Sequence, residues 1–406
     1  MINILRKQDC VGCSSCLQKC PVSCITMTSD TQGFQYPQVD RHRCIDCGLC
    51  EKVCPVINAG SSCKSNQVYA AWNTDDKVRI SSSSGGVFYS LAKNVIEHGG
   101  VVFGVRFNDK WEVIHDYVED VDKIHIFQGS KYVQSQIGNC FILVKQFLKS
   151  GRQVLFSGTP CQVAGLKLFL NEKWESKLIT VDFICHGVPS PKVWDSYLKY
   201  VIGSELDYST ASRTISNISF RDKRNGWIKY GLSITKICKM AQSRFSRQIE
   251  NESESEIFYE YACSNVFMQC FLRNFTIRQS CFKCPAKRGR SNSDITLADF
   301  WDVQKYYPEL YSHKGVSLLL VNSAKGNMLL ESTGITMVEV DNDVISKINP
   351  SYIKSAEKPH YYSKFWELFE TDGIRGAIFF LNHIKPPVLK RVYRNIKILI
   401  CKLIRR

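Results

Sequence analysis

Eight of the nine cysteines between residues 10 and 54 constrain what this chain can fold into more than any other feature. They form two sets of equal spacing, Cys10-x2-Cys13-x2-Cys16-x3-Cys20-Pro21 and Cys44-x2-Cys47-x2-Cys50-x3-Cys54-Pro55. The beginning of the chain carries no apolar segment typical of a secretion signal, so we expect a cytoplasmic, reducing environment. In that environment closely spaced cysteines are metal ligands or free thiols before they are disulfides.

This spacing is typical of bacterial ferredoxins with two 4Fe–4S clusters, in which the last cysteine of each set ligates the other cluster. We expect cluster one to be bound by Cys10, Cys13, Cys16 and Cys54, and cluster two by Cys44, Cys47, Cys50 and Cys20. A zinc module is the alternative, although zinc rarely uses two tandem four-cysteine sets. Cys24 and Cys63 lie outside the repeat and are predicted to be bystander thiols.

The net charge of +15 suggests an anionic partner, such as nucleic acid, a membrane surface, a phosphorylated cofactor or an acidic electron carrier. Apolar residues recur at helical spacing over residues 386–406, and basic residues lie between them. This pattern predicts a basic amphipathic helix that lies on an anionic membrane surface at the inner face or docks within the protein. We expect no nucleic acid, because the basic residues do not alternate with aromatic residues.

Beyond the cysteine repeat, short buried strands alternate with helices, which predicts an α/β architecture with function at the strand ends. The strand over residues 154–156 leads through Ser157-Gly158-Thr159-Pro160 to Cys161 and a helix. A second strand, over residues 179–184, ends at Cys185-His186-Gly187, and a helix follows over residues 191–202. Cys161 and Cys185 are therefore expected at the ends of neighbouring strands.

A third Cys-x2-Cys element, Cys281 and Cys284, could join Cys161 and Cys185 around one more metal centre. Four thiolates suit either an iron–sulfur cluster or zinc. Two buried thiols beside a zinc half-site remain the alternative. His186 could donate a proton, donate a hydrogen bond to the cluster, or serve the fold alone.

Two polar, glycine-containing segments are candidate ligand loops. The first, residues 81–86, precedes a helix that is predicted to run to about His98, so it is either an anion site or a plain helix cap. The second, residues 129–135, places Lys131 among hydroxyl groups, where it could hold a phosphate or a flavin carbonyl.

The segments SGTPCQVAGLK (157–167) and DFICHGVPSPKVW (182–194) resemble those of the family of coenzyme F-420 hydrogenase/dehydrogenase beta subunits. Further matching segments are SSSGGVF (82–88), GSKYVQS (129–135), FRDKRNGW (220–227), the Cys281-x2-Cys284 pair and DITLADFW (294–301). Together they cover residues 68–320 in the order of the family.

The resemblance implies a mixed α/β flavin and iron–sulfur domain in which Cys161, Cys185, Cys281 and Cys284 ligate a third 4Fe–4S cluster. It also implies FAD, and a cationic Lys131 could stabilise reduced, anionic flavin. We predict Lys131 and His186 as the catalytic residues. The implied FAD-binding residues are Ser83, Ser84, Gly85, Gly86, Gly129, Ser130, Lys131, Tyr132, Gln134, Ser135 and Thr159.

We therefore predict a small two-cluster ferredoxin-like domain (residues 1–58), a mixed α/β flavin domain in two parts (68–145 and 146–322) and an extension (323–406) with the basic helix. Reduced ferredoxin or a similar carrier would supply electrons through the clusters to FAD and an unidentified substrate. The domain layout resembles that of proteins encoded with surface-polysaccharide machinery. This resemblance suggests surface-polysaccharide biosynthesis as the setting. The alternatives are an electron-transfer subunit that feeds a partner enzyme, and a coenzyme F-420-dependent hydrogenase or dehydrogenase subunit.

Overall fold

The computed structural model describes residues 2–4, 6–62, 67–171, 174, 176–203, 215–238 and 254–384. The chain divides into two compact units, Met1–Pro359 and His360–Arg406. The predicted basic helix over residues 386–406 and the thiol of Cys63 lie outside the described residues. In the described part of the chain, no helix combines the length and the apolar character needed to cross a membrane.

The strands are, in chain order, β1 Ile25–Ser29, β2 Gln35–Val39, β3 Gln67–Asn73, β4 Val101–Phe107, β5 Val113–Val118, β6 Val154–Ser157, β7 Leu178–Phe183, β8 Ile215–Asp222, β9 Gly231–Cys238, β10 Glu254–Tyr261, β11 Ile295–Asp299, β12 Ser317–Val321 and β13 Ile335–Glu339.

The α-helices of the described residues are α1 Ser15–Lys19, α2 Leu49–Lys52, α3 Asp76–Ser81, α4 Val87–Glu97, α5 Cys140–Lys149, α6 Pro160–Leu170, α7 Pro191–Ile202, α8 Val266–Leu272, α9 Val303–Tyr306, α10 Ala324–Glu331, α11 Val344–Ile348 and α12 Tyr362–His383.

The first unit is built on a mixed sheet of eight strands in the order β13-β3-β12-β11-β7-β6-β4-β5. The four strands β11, β7, β6 and β4 are parallel, and the remaining pairs are antiparallel. Because parallel strands end at the same edge, the segments that follow β6, β7 and β11 meet there. The mixed α/β architecture predicted from the sequence is therefore confirmed.

Alternating residues of the central strands supply the core on both faces of this sheet. Val102, Leu155 and Ile179 pack on one face with the apolar side of α4. Phe103 and Phe156 point to the opposite face, where α5 and α6 cover them. The period of two in a strand produces this division, and each fully buried apolar side chain contributes about 1.5–3 kcal/mol.

The sequence repeat of the first 58 residues is visible in the backbone. Gly12 and Asp46, which are 34 positions apart, both have positive φ values, as do Ser14 and Gly48. Ser14 and Gly48 precede α1 and α2 in the same left-handed conformation. Cysteines supply much of the small core around the antiparallel pair β1–β2. A core this small usually needs bound metal for stability.

A tight turn joins two neighbouring strands of the eight-stranded sheet. The hairpin between β4 and β5 turns over residues 108–112, because Asn108 Oδ1 accepts hydrogen bonds from the backbone N–H groups of Lys110 and Glu112. The sheet also extends beyond residue 322, the predicted end of the flavin domain, since β13 pairs with β3.

A smaller antiparallel sheet has the order β10-β9-β8, and its strands β8 and β9 follow one another in the chain as an antiparallel pair. The second unit contains α12, which is interrupted by non-helical φ/ψ values at Asp372 and Gly373. Within this unit Phe365 packs against Trp366, Phe369 and Phe380.

Candidate iron–sulfur and cofactor sites

The four thiols predicted for cluster one lie together. Burial raises the pKa of the Cys13 thiol to about 12; the Ser15 hydrogen bond opposes this rise, and the neighbouring thiols of Cys10 and Cys54 add to it. Burial also raises the pKa of Cys16, and the charges of Cys13, Cys10 and Cys54 contribute in the same direction. Thiolates that repel one another in a dry site fit a cationic iron core, which would relieve the repulsion.

The thiols predicted for cluster two line one pocket. Its lining includes Cys20, Cys44, Cys47 and Cys50, and Cys24 lies beside them. The Cys24 sulfur is 3.4 Å from that of Cys20, and Cys24 is buried. Cys24 therefore adjoins the predicted ligands, although it lies outside the repeat.

The third set of thiols gathers at the edge where β6 and β7 end. These strands are parallel neighbours, with Ser157 opposite Val181. Cys161 lies in the first turn of α6, Cys185 follows β7, and Cys281 lies in a 3₁₀ turn over Gln279–Lys283. Cys284 ends this turn. The structure thus brings together thiols from three segments that are distant from one another in the chain.

Burial and mutual repulsion govern the third set as well. Burial raises the pKa of Cys185 to about 12, and the charges of Cys281 and Cys284 raise it further, while Lys287 opposes them. Burial raises the pKa of Cys281 to about 11. Among the described residues, no three His, Cys, Asp or Glu side chains are close enough to hold a single metal ion. Four half-buried thiols with a nearby cation fit a 4Fe–4S cluster, which we call the domain cluster.

Thr159 and His186, both predicted site residues, adjoin this set. The Thr159 hydroxyl lies 3.2 Å from Cys161 Sγ, and its backbone N–H donates to Gln162 Oε1. His186 Nε2 lies 2.6 Å from Asn274 Oδ1, which holds the ring in place. Burial lowers the pKa of His186, so its neutral form is favoured.

The first module packs directly on the helix that carries Cys161. A Cβ atom placed on Gly165 would lie 2.6 Å from Ser15 Oγ and 3.0 Å from Cys13 Sγ. Gly165 follows Cys161 by four residues, which is about one turn of α6. A predicted ligand of cluster one and a predicted ligand of the domain cluster therefore lie about one helical turn apart.

The two polar segments expected to hold FAD meet in the structure. Ser83 Oγ accepts hydrogen bonds from the backbone N–H of Ser130 at 2.7 Å and from its hydroxyl at 2.9 Å. Gly85 N–H donates to Ser317 Oγ, so this donor is already used. A Cβ on Gly129 would find nothing within 4 Å, which leaves open space beside the paired segments. We call this pair of segments the serine cradle.

A buried arginine that the sequence reasoning did not single out lies against the cradle. Arg221 pairs with Asp299 at the end of β11 and donates to the backbone oxygen of Ser83. Its guanidinium lies 3.9 Å from the Tyr230 ring centroid. The Arg221 Nε is buried without a hydrogen-bond partner. The cradle thus combines serine hydroxyls, a guanidinium N–H without a partner and open space beside Gly129. This combination could accommodate an anionic group such as the diphosphate of FAD.

Two lysines near the cradle are held by backbone oxygens. Lys131 donates to the carbonyls of Ile126 and Gln128, and burial lowers its pKa to about 7. Lys223 donates to three carbonyls, and burial, followed by the charge of Arg221, lowers its pKa to about 7. Lys223 lies in the FRDKRNGW segment, which was its only signal in the sequence.

The remaining predicted FAD residues fall on two sides of the fold. The Tyr132 hydroxyl lies 3.5 Å from Arg221 Nη1, beside the cradle. The Ser84 hydroxyl donates a hydrogen bond to the backbone oxygen of Val316. Gln134 donates to the backbone oxygen of Val11 in the first module, and Ser135 accepts from Gln162 on α6. Gln134 and Ser135 thus lie with the cysteine sets, and their role in FAD binding stays a prediction.

Cysteines in ferredoxin spacing, beside an α/β sheet domain, define the class of iron–sulfur electron-transfer proteins. Residues 9–58 match the family model of a 4Fe–4S dicluster domain. Residues 68–140 and 151–343 match the N-terminal and C-terminal family models of the coenzyme F420 hydrogenase/dehydrogenase beta subunit. The chain belongs to this family, which confirms the resemblance recognised in the motifs.

Two curated relatives match different parts of the chain. A subunit of the F(420)H(2) dehydrogenase of Methanosarcina mazei is 20% identical over 213 residues, which are 48% of this chain and 60% of that protein. Ferredoxin 7Fe of Hydrogenibacillus schlegelii is 47% identical over 51 residues, 12% of this chain and 59% of the ferredoxin. The chain thus spans less than two thirds of the length of either relative.

A chain of the F420-reducing [NiFe] hydrogenase complex from Methanosarcina barkeri gives a TM-score of 0.44 at 12% identity. The alignment covers 79% of this chain and 92% of that chain.

Proposed function

We propose that this protein is an iron–sulfur electron-transfer subunit that passes single electrons between a partner and a redox cofactor in its sheet domain. Cluster one, cluster two and the domain cluster would carry the electrons. The residues of this chain would hold the clusters and set their spacing. The proposal therefore favours the electron-transfer alternative over a self-contained enzyme.

One observation carries the proposal: Cys13 packs against Gly165, one helical turn from Cys161. An isolated ferredoxin module would not need to pack a predicted cluster ligand against the helix that carries Cys161. The close approach supports a continuous path from the first module into the sheet domain.

Anaerobic analysis of iron, labile sulfide and flavin in the purified chain tests this proposal. We expect about twelve iron atoms per chain, four in each of three clusters. About eight would remove the domain cluster and with it the proposed path. Electron transfer to artificial acceptors without turnover of any substrate would support the subunit role, whereas substrate turnover by the purified chain would contradict it.

The serine cradle favours a second candidate, an oxidoreductase that uses FAD. When bound, FAD would exchange single electrons with the clusters and hydride with a substrate. Ser83, Ser130 and Arg221 would hold its diphosphate, and Lys131 would shape the loop. One flavin per chain in the same analysis supports this candidate, and its absence after anaerobic purification contradicts it. Coenzyme F-420 remains a candidate partner because a relative carries it in its name.

The partner and location are further proposals. A reduced ferredoxin or a similar carrier, or a subunit of a larger complex, would exchange electrons with cluster two, whose ligand Cys47 is exposed. A cytoplasmic location, contact with an anionic membrane surface through residues 386–406 and a substrate in surface polysaccharide biosynthesis stay predictions.

A further inference from the structure

Arg278 is a fully buried arginine at the junction of the first module and the sheet domain. Its relative exposure is 0%. Its Nε donates to the backbone oxygen of Cys10 at 2.7 Å, Nη1 to Gln134 Oε1 at 3.0 Å and Nη2 to the backbone oxygen of Gln35 at 2.8 Å. These three oxygens are uncharged. None of the ion pairs found among the described residues includes Arg278.

A buried guanidinium without a carboxylate partner is costly, because water no longer solvates the charge. The rings of Tyr36 and Phe34 lie 4.3 Å and 5.4 Å from the guanidinium carbon and offset part of this cost. A nearby negative charge would offset the rest of this desolvation cost. Among the described residues, the candidates for that charge are the carboxylate of Asp30, which accepts a hydrogen bond from the Phe34 N–H, and the thiolates of the predicted cluster ligands beside Arg278.

Arg278 lies between a ligand of cluster one and a ligand of the domain cluster. It contacts the backbone of Cys10 directly, and its own carbonyl accepts a hydrogen bond from the N–H of Cys281 at 2.9 Å. Arg278 therefore touches the backbone of one predicted ligand of each cluster, and its guanidinium lies on the cluster-one side of this junction.

We infer that Arg278 is the shared counter-charge of cluster one and the domain cluster, and that it raises the reduction potentials of both. This inference rests on the proposed function for the domain cluster, whereas cluster one depends only on the ferredoxin spacing. A 4Fe–4S centre with four thiolates is anionic, and reduction adds one further electron. A fixed, buried cation stabilises that added charge, so each cluster accepts an electron at a higher potential.

The size of the effect follows from the corresponding effect on protons. An opposite charge a few ångströms away changes an acid's pKa by about one to three units. The same Coulomb energy acts on an added electron, so removal of the charge should change the equilibrium between oxidised and reduced cluster by tenfold or more. Tenfold corresponds to about 59 mV for a one-electron couple.

Redox titration followed by EPR in the full-length anaerobic protein tests the inference, with iron content measured on each sample. Arg278→Gln removes the charge, Arg278→Lys keeps it, and Arg273→Gln removes an exposed arginine five residues away, whose charge water screens. We expect Arg278→Gln to lower the potentials of two clusters by at least about 59 mV and to leave the third unchanged. Arg278→Lys and Arg273→Gln should stay near the wild-type values.

Each outcome decides the question. Unchanged potentials in an Arg278→Gln protein with full iron content overturn the inference. Loss of iron in Arg278→Gln but not in Arg278→Lys supports it, because the charge then stabilises the clusters. Equal loss in both variants overturns it, since hydrogen-bond geometry would then explain the residue. A wild-type iron content near eight contradicts the proposed domain cluster, and the shift of cluster one alone then decides the role of Arg278.

Discussion

Substitution of Gly165 by alanine measures how closely the first module and the sheet domain approach. In a helix interior, alanine is normally more stable than glycine by about 0.5–1 kcal/mol. At this position the new Cβ would lie 2.6 Å from Ser15 Oγ and 3.0 Å from Cys13 Sγ. Overpacking in a dense interior costs about 1–3 kcal/mol. Displacement of Ser15 would also disturb its contact with Cys13, which measures 3.3 Å between oxygen and sulfur and is worth about 1 kcal/mol.

The unfavourable effects exceed the gain in helix propensity, so we expect Gly165→Ala to destabilise the first unit by about 1–3 kcal/mol. In a unit of this size that lowers the unfolding temperature by a few degrees. Anaerobic thermal unfolding, followed by iron–sulfur absorbance and by circular dichroism, measures the change.

Two further variants sharpen the test. Gly334 has nothing within 4 Å of the position that a Cβ would occupy, so Gly334→Ala serves as the control and should not destabilise the protein. Ser15→Ala removes the atom nearest to the new Cβ, so the double variant should be more stable than the sum of the two single changes. A Gly165→Ala protein that unfolds at or above the wild-type temperature would refute the close approach.

Three other changes have defined outcomes. Cys185→Ser should remove about four of about twelve iron atoms and leave the signals of the first module in place, as measured by iron analysis and EPR. Asp299→Asn leaves Arg221 buried without its carboxylate and should cost about 3–5 kcal/mol in urea unfolding. Burial lowers the pKa of His115 to about 4, against a smaller opposing effect of its hydrogen bond to Ser157. Its folded-state pKa lies below the unfolded value, so its stabilising effect is complete above about pH 6.5 and should fall by about 2 kcal/mol between about pH 7 and pH 5.

Matched controls accompany these three changes. Cys270 is buried outside the thiol sets, so Cys270→Ser should keep all the iron, and equal loss in both variants would contradict the domain cluster. Asp195 pairs with Lys199 in the open, so Asp195→Asn should cost less than about 1 kcal/mol. His115→Gln should flatten the pH dependence of unfolding. A pH profile identical to that of the wild-type protein would show that His115 does not stay neutral in the fold.

Local spacing made much of the candidate site predictable. Cysteines with two or three residues between them predict a turn around metal, and the same spacing produces matching positive φ values at Gly12 and Asp46. Strand-ending cysteines were predictable too, because a buried strand followed by a turn and a helix places Cys161 and Cys185 at one sheet edge. The contact between residues 81–86 and residues 129–135 was not predictable, because the only feature that these segments share in the sequence is their polar composition.

Arg278 and Gly165 show why the remainder could not be predicted. Arg278 lies in an ordinary stretch before Cys281, and its burial arises from contacts with Cys10, Gln35 and Gln134, which precede it by 268, 243 and 144 positions. Gly165 is a helix-interior glycine, which indicates a close approach without indicating what approaches. Arg221 likewise acquires its partner, Asp299, only when β8 and β11 come together.

The sequence by itself determined the family and the alternation of strands and helices, and it predicted the ligand sets of the first module, because these depend on spacing and period. Only the tertiary structure decided that Cys13 rests against α6, that Arg278 lies between two thiol sets, and that Ser83 meets Ser130. Those contacts join segments that are distant in the chain. Their energies come from burial and charge in a shared interior, and a local sequence pattern does not specify which segments meet there.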